Sequence, residues 1–220
     1  MSKQCVIFGT TNFTAMMRYH LENSGDMHVT AFCLDKAYIS VSTFDGLPVV
    51  PWEEVTEKYP PSEYSMLIGL GYRKMNDPRK VKSEEAKKLG YELTSFIHPS
   101  ATISDNVSMG EGNIILENTV ISYKSSIGNG NIIWSGCVLS HEIKLGDYNY
   151  IAPGVTLGGG AVLTDNCFIG MNSVVRGGTV LEDHTLIGAM SFVNFSTKGY
   201  DIYVPPRTYK LENKISTDLL

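Results

Sequence analysis

The chain lacks the features that would place it in several common classes. Its 220 residues include four cysteines and two tryptophans, and only 19% of them are charged. Cys5, Cys33, Cys137 and Cys167 do not fall at zinc-site spacings, and a reduced, buried, cytoplasmic state is expected of them. There is no basic stripe, and the net charge of −5 argues against a nucleic-acid partner. No apolar run reaches the length of a membrane span. Thr10, Thr11 and Asn12 interrupt the apolar start too early for a secretory signal, so neither export nor membrane insertion is expected.

In the second half, helix periodicity and simple strand alternation are both missing. A period of six replaces them. Ile97, Ile103, Met109, Ile115, Ile121, Ile127, Ile133, Leu139, Leu145, Ile151, Leu157, Leu163, Ile169, Val175, Leu181, Ile187 and Val193 follow one another at that interval without a miss. Two residues before all but the first sits a mostly small side chain, such as Ala101, Thr119, Cys137 or Ser191. One large inward residue and one small corner residue per hexapeptide describe a parallel β-helix, each hexapeptide forming one side of a prism. Three sides close a coil of about eighteen residues, so positions eighteen apart stack in a column about 4.8 Å per step.

Those columns sort the polar residues. Gly110, Gly128 and Gly146 each follow an inward residue and are expected to help the chain turn. Asn113, Asn131 and Asn149 form a ladder that would satisfy stacked backbone groups, a structural role. Cys137 and Cys167 lie on different corners and should not pair. His141 begins a column continued by Gly159 and Gly177, and Glu142 begins one continued by Gly160 and Gly178. A histidine and a carboxylate are thus followed by two coils without side chains, an open strip of backbone beside a potential base. A solvated His–Glu pair is the bland reading, and the stacked glycines weigh against it. Trp134 should project from the prism, either walling a substrate pocket or packing on a partner subunit. His20, His28, His98 and His184 read as solvated or locally bonded.

Residues 1–96 form a separate unit and 97–220 the solenoid with an irregular tail, VPPRTYKL among it. QCVIFG, HVTAFCLD, SMLIGLG and YELTSFIH read as strands, the last leading into the solenoid. Residues 12–24, PWEEV and DPRKVKSEEAKKLG read as helices, the last with Asp77 as cap, Pro78 first and Gly90 as stop. Alternating strands and helices imply a small Rossmann-like βαβαβ unit packed directly on the solenoid. Gly9, Thr10, Thr11 and Asn12 follow its first strand and could cradle phosphate, and Asp35 ends its second strand where a ribose hydroxyl would sit.

IFGTTNF, FIHPSATIS and SHEIKLGDYNYIAPGVTLGGG resemble the sialic acid O-acetyltransferase family, which includes bacterial acetyltransferases of nucleotide-linked 4-amino sugars. The resemblance spans nearly the whole chain and is more specific in the solenoid. It implies a left-handed β-helix, a homotrimer and acetyl-CoA bound between adjacent prisms, with no metal required. It also implies a role in bacterial surface glycan synthesis. By the same resemblance, His141 is the general base, Glu142 its orienting partner, and Gly159 the donor to the thioester carbonyl. Gly160, Gly177 and Gly178 complete the coenzyme strip, and Tyr150 lies near the acetyl group. Asn12, Phe13 and Thr14 replace a glycine-rich loop with a histidine, and Trp134 stands where relatives often have Asn. Both departures concern the acceptor. N-acetylation of a nucleotide-activated amino sugar is the leading expectation. Sugar O-acetylation and an inactive solenoid serving as a binding or assembly subunit are the alternatives.

Overall fold

The computed structural model describes residues 3–24 and 27–208. The amino-terminal unit contains β1 (Lys3–Phe8), α1 (Asn12–Asn23), β2 (Met27–Leu34), β3 (Thr43–Phe44), β4 (Leu47–Pro51), α2 (Val55–Lys58), β5 (Tyr64–Ile68) and α3 (Asp77–Lys88). Its sheet has the order β3-β4-β2-β1-β5, parallel except for the β3–β4 hairpin. The chain winds outward from β1 through β2 to β4, then crosses to β5 on the other side of β1. The winding direction therefore reverses between β1 and β5, the place where open α/β sheets bind ligands.

Local chemistry explains the helix ends. Thr11 caps α1, accepting from the Thr14 N–H while the Thr14 hydroxyl accepts from the Thr11 N–H. Thr14, Met17 and Leu21 are its buried stripe. Helix α3 starts with Pro78 in its first turn, but its cap is Asn76 rather than Asp77. The polar stretch before PWEEV contains the β3–β4 hairpin, and Pro51 ends β4 instead of opening a helix. YELTSFIH contributes no full strand to this sheet. Leu93 makes a single bridge to Met66, and Phe96–Ile97 already belongs to the solenoid.

The solenoid is built as the six-residue period requires. Two-residue strands stack into three parallel faces. On the first face Ile115, Ile133, Ile151, Ile169 and Ile187 stack in register, each eighteen residues from the last. The inward column is fully buried from Ile115 to Val193 apart from slight exposure at Ile127 and Leu145. The first coil is more open, with Ile103 and Met109 partly buried and Ile97 44% exposed, because no coil lies beneath it. From Gly112 to Met190 every sixth residue has φ between 54° and 72°, glycine at six positions and otherwise Asn118, Lys124, Glu142, Tyr148, Asn166, Asn172, His184 or Met190. This residue, three after the inward one, turns each corner.

The Gly110 column therefore does not supply the turn. A Cβ on Gly110 would meet Gly128 O at 2.9 Å, and one on Gly128 would meet Gly146 O at 2.6 Å. These glycines admit the coil above. The asparagine ladder is present and fully buried. Asn131 N–H donates to Asn113 Oδ1 and Asn149 N–H to Asn131 Oδ1, both at 2.8 Å, and Cys167 N–H closes the series on Asn149 Oδ1. Past Val193 the period shortens: Ile202–Tyr203 joins the first face sixteen residues after Leu186. Residues 204–208 are irregular, and the rest of VPPRTYKL lies outside the described residues.

The two units are locked together. Arg79, 2% exposed, donates to the carbonyls of Gly130, Tyr148 and Asn149 in the solenoid and of Leu70 and Gly71 after β5. Asn76 Nδ2 donates to the Asn166 and Cys167 carbonyls, and Asn166 Nδ2 returns a bond to Met75 O.

Candidate active site

The corner after Leu139 carries His141 and Glu142. His141 Nδ1 is 3.1 Å from Glu142 Oε2, and both side chains are about 60% exposed (63% and 60%). An exposed pair of this kind adds little stability, so it is not there to hold the corner. The carboxylate occupies Nδ1, which leaves Nε2 as the ring nitrogen without a protein partner among the described residues. The ring lies over Gly159: a Cβ there would stand 2.5 Å from His141 Cε1 and closer to Nε2. Gly160 N–H donates to His141 O, and Gly178 N–H to Gly159 O, so successive coils are tied behind the strip. The Gly159 and Gly177 N–H groups donate no hydrogen bond among the described residues. Positions 160 and 178 are turn glycines with open space beside them. The strip read from sequence is thus assembled, with an imidazole at one end and unpaired backbone donors along it.

Trp134 and Tyr150 belong to a different place. They stand on the first face and its corner, whereas His141 lies at the corner between the second and third faces. A cavity of about 500 Å³ is lined by Thr11, Phe13, Gly69–Arg73, Pro78, Trp134 and Tyr150. It opens at the carboxyl ends of β1 and β5. An adjoining apolar hollow of about 370 Å³ continues past Phe168 and Met171. Trp134 packs on Phe13 at 5.6 Å between ring centroids, and Tyr150 stacks on Phe168 at 5.4 Å. Burial pushes the Tyr150 hydroxyl up to about 12. Trp134 therefore walls a cavity within its own protomer.

Of the other residues expected here, Gly9 has φ 120° and packs under Thr14, and Thr11 opens onto the cavity while capping α1. Thr10 and Asn12 are not among the cavity's lining residues. Asp35 is already engaged: Lys82 Nζ lies 2.7 Å from its Oδ1 and over the Phe8 and Trp52 rings. His184 turns a corner as expected but is bonded rather than solvated: Nε2 lies 3.1 Å from Asp77 Oδ1 and the ring stacks on Tyr200. Sequence reasoning missed the Gly69–Arg73 loop and Arg79. A signal for the loop existed: Gly69 follows β5 as Gly9 follows β1, and a Cβ on Gly69 would lie 3.0 Å from Phe8 O and closer to Thr14. Nothing in the charged pattern of α3 marks Arg79.

Comparison with known proteins bears on the same features. Residues 124–159 match the bacterial transferase hexapeptide model (six repeats). PerB from Caulobacter crescentus, solved with CoA and GDP-perosamine, is 25% identical and superposes with a TM-score of 0.83 over 92% of this chain and 94% of its own. The acetyltransferase domain of PglB from Neisseria gonorrhoeae is 20% identical, with a TM-score of 0.83 over 93% and 97% of the two chains. WeeI from Acinetobacter baumannii is 18% identical, with a TM-score of 0.81 over the same shares. None of the curated proteins matches the chain in sequence. The β-helix is the left-handed hexapeptide-repeat kind, with a small α/β unit before it. No described helix is long and apolar enough to cross a membrane.

Proposed function

We propose that this hexapeptide-repeat chain transfers an acetyl group from acetyl-CoA to the amine of a nucleotide-linked sugar, directly and without a covalent enzyme intermediate. The observation that carries the reading is the His141 ring seated on Gly159 with Glu142 on its other nitrogen. His141 Nε2 takes the proton from the attacking amine as the nitrogen–carbon bond forms. Glu142 fixes the tautomer and stabilises the imidazolium. The free Gly159 N–H meets the thioester oxygen as it becomes an oxyanion, an effect worth about 3 kcal/mol in comparable sites. Collapse of the tetrahedral intermediate expels the thiolate of CoA. Gly160, Gly177 and Gly178 keep the groove open for the pantetheine arm.

The acceptor enters at the first face. Its nucleotide lies at the β1–β5 switch point, against Gly9, Thr11 and the Gly69–Arg73 loop, which makes residues 1–96 the sugar-nucleotide-binding domain. Asp35 would meet a ribose only while shared with Lys82. The sugar sits against Trp134. That PerB was solved with both CoA and a nucleotide-linked amino sugar supports this pairing of ligands. Because the base and the cavity occupy different corners of one prism, the complete site forms between two copies of a trimer.

Thiol release from acetyl-CoA, measured with nucleotide-linked amino and neutral sugars, tests the chemistry. Release with amino sugars only, abolished in His141→Ala, is the expected result. Full turnover in that variant overturns the base, and release with neutral sugars points to O-acetylation. Coexpression tests the assembly. Inactive His141→Ala mixed evenly with an inactive cavity variant should regain about one quarter of the sites, one half times one half. No recovery would place both halves in one protomer.

A further inference from the structure

A second cluster of functional side chains joins α1 to the first two coils, apart from both halves of the proposed active site. His20 lies in the last turns of α1, His98 follows the first solenoid strand, and Glu117 lies in a corner of the second coil. One ligand atom from each lies within 4.8 Å of the others. His20 Nε2 is 3.4 Å from Glu117 Oε1, and the two imidazole rings meet edge to face at 5.4 Å. We propose that His20, His98 and Glu117 bind a divalent transition-metal ion of the zinc class, stapling the α/β unit to the solenoid.

Four observations support it. Two imidazoles and one carboxylate form a donor set suited to zinc or cobalt rather than to magnesium or calcium. Tetrahedral coordination with bonds near 2.1 Å needs donor atoms about 3.4 Å apart. The His20–Glu117 pair is already at that spacing, and the third donor has at most about 1.4 Å to close. The Glu117 carboxylate is also oriented: Ser135 Oγ donates to its Oε2 at 2.6 Å, turning Oε1 toward the histidines. Beside the three residues is a hollow of about 270 Å³, also bordered by Tyr19, Asn23 and Pro99, with room for a fourth, water ligand.

Tag-free, chelator-treated full-length protein titrated with zinc and with cobalt provides the test. One tightly bound ion per chain is expected, with visible cobalt absorption of four-coordinate intensity and a higher melting temperature. His98→Gln and Glu117→Gln should bind at least tenfold more weakly and lose the thermal gain, while His141→Ala keeps both. Acetyl transfer by the metal-free enzyme should persist, so this result does not depend on the transferase reading. Absence of stoichiometric binding or of the cobalt bands in the wild type overturns the proposal, whether or not the variants fold. Equal affinity in His98→Gln overturns it as well.

Discussion

Gly159→Ala isolates the placement of the proposed base, His141, from every other part of the site. The added carbon would stand 2.5 Å from His141 Cε1 and 3.1 Å from Cδ2. Carbon atoms sit at about 3.5–4.0 Å, so the ring must retreat by roughly 1 Å. A misplacement of that size costs about 10²-fold in rate, or about 2.7 kcal/mol of transition-state stabilisation. The alanine keeps its backbone N–H, so the proposed oxyanion donor survives. The fold should barely respond. Gly159 is not among the positive-φ residues, and the exposed imidazole is free to swing outward. Glycine-to-alanine changes at compatible positions shift stability by only about 0.4–1 kcal/mol, in the stabilising direction.

Its neighbour supplies the contrast. A Cβ on Gly158 would lie 3.0 Å from Gly177 Cα and closer to Gly177 N, both backbone atoms of the next coil. No rotamer relieves that clash, and overpacking of this kind costs about 1–3 kcal/mol. At about 2–4 °C per kcal/mol for a chain of this size, Gly158→Ala should melt some 2–12 °C lower. The assay pairs kcat/KM from thiol release with thermal melts of both variants. Gly159→Ala should lose activity with its melting temperature kept. Full activity in Gly159→Ala, or a loss accounted for by unfolding, would refute the seating of the base on that glycine.

Three further outcomes follow from the packing. Arg79→Met strands five carbonyls and should cost about 3 kcal/mol, lowering the melting temperature by roughly 6–12 °C. It should also raise KM for the acceptor, because Leu70 and Gly71 line the cavity. All four cysteines are buried and free, and burial pushes Cys137 up to about 11 and Cys167 up to about 12. A disulfide reagent at pH 8 should therefore find no fast thiol in the folded chain and four in denaturant. The Thr164 hydroxyl and the Asp165 N–H hold the Asp183 carboxyl below the usual carboxylate range. Its stabilising contribution is present above the unfolded value near about 4 and is lost as pH falls through the lower folded value. Melting temperature against pH should decline on that acid side, and less steeply in Thr164→Val.

The solenoid was legible because every coil repeats the same decision. Inward aliphatics, small corner residues and the His141–Gly159–Gly177 column follow from counting by six and eighteen, and the structure brings them together. The Gly110 column shows the limit of counting. Its position was right, but its role depends on how near the Gly128 carbonyl comes, a distance the sequence does not contain. Arg79 fails for a related reason. On α3 it resembles any solvated charge, and only docking against Gly130 and Tyr148 turns it inward. His20, His98 and Glu117 are scattered over nearly a hundred residues, so no local spacing announces their cluster.

One consequence concerns how the site closes. Many transferases bring base and acceptor together by moving a lid or a domain. Here a hinge between the two units would have to break the three Arg79 bonds to Gly130, Tyr148 and Asn149 and the Asn76 and Asn166 bonds across the junction. Leaving such groups unpaired costs about 1–3 kcal/mol each. The prism offers no relief either, since its inward column is packed without interruption from Ile115 to Val193. The angle between the His141 corner and the Trp134 cavity is therefore fixed. The proposed trimer has a second copy present its own cavity to that corner. On the proposed reading, association is the step that completes the site, and the stiffness of one protomer is what makes it necessary.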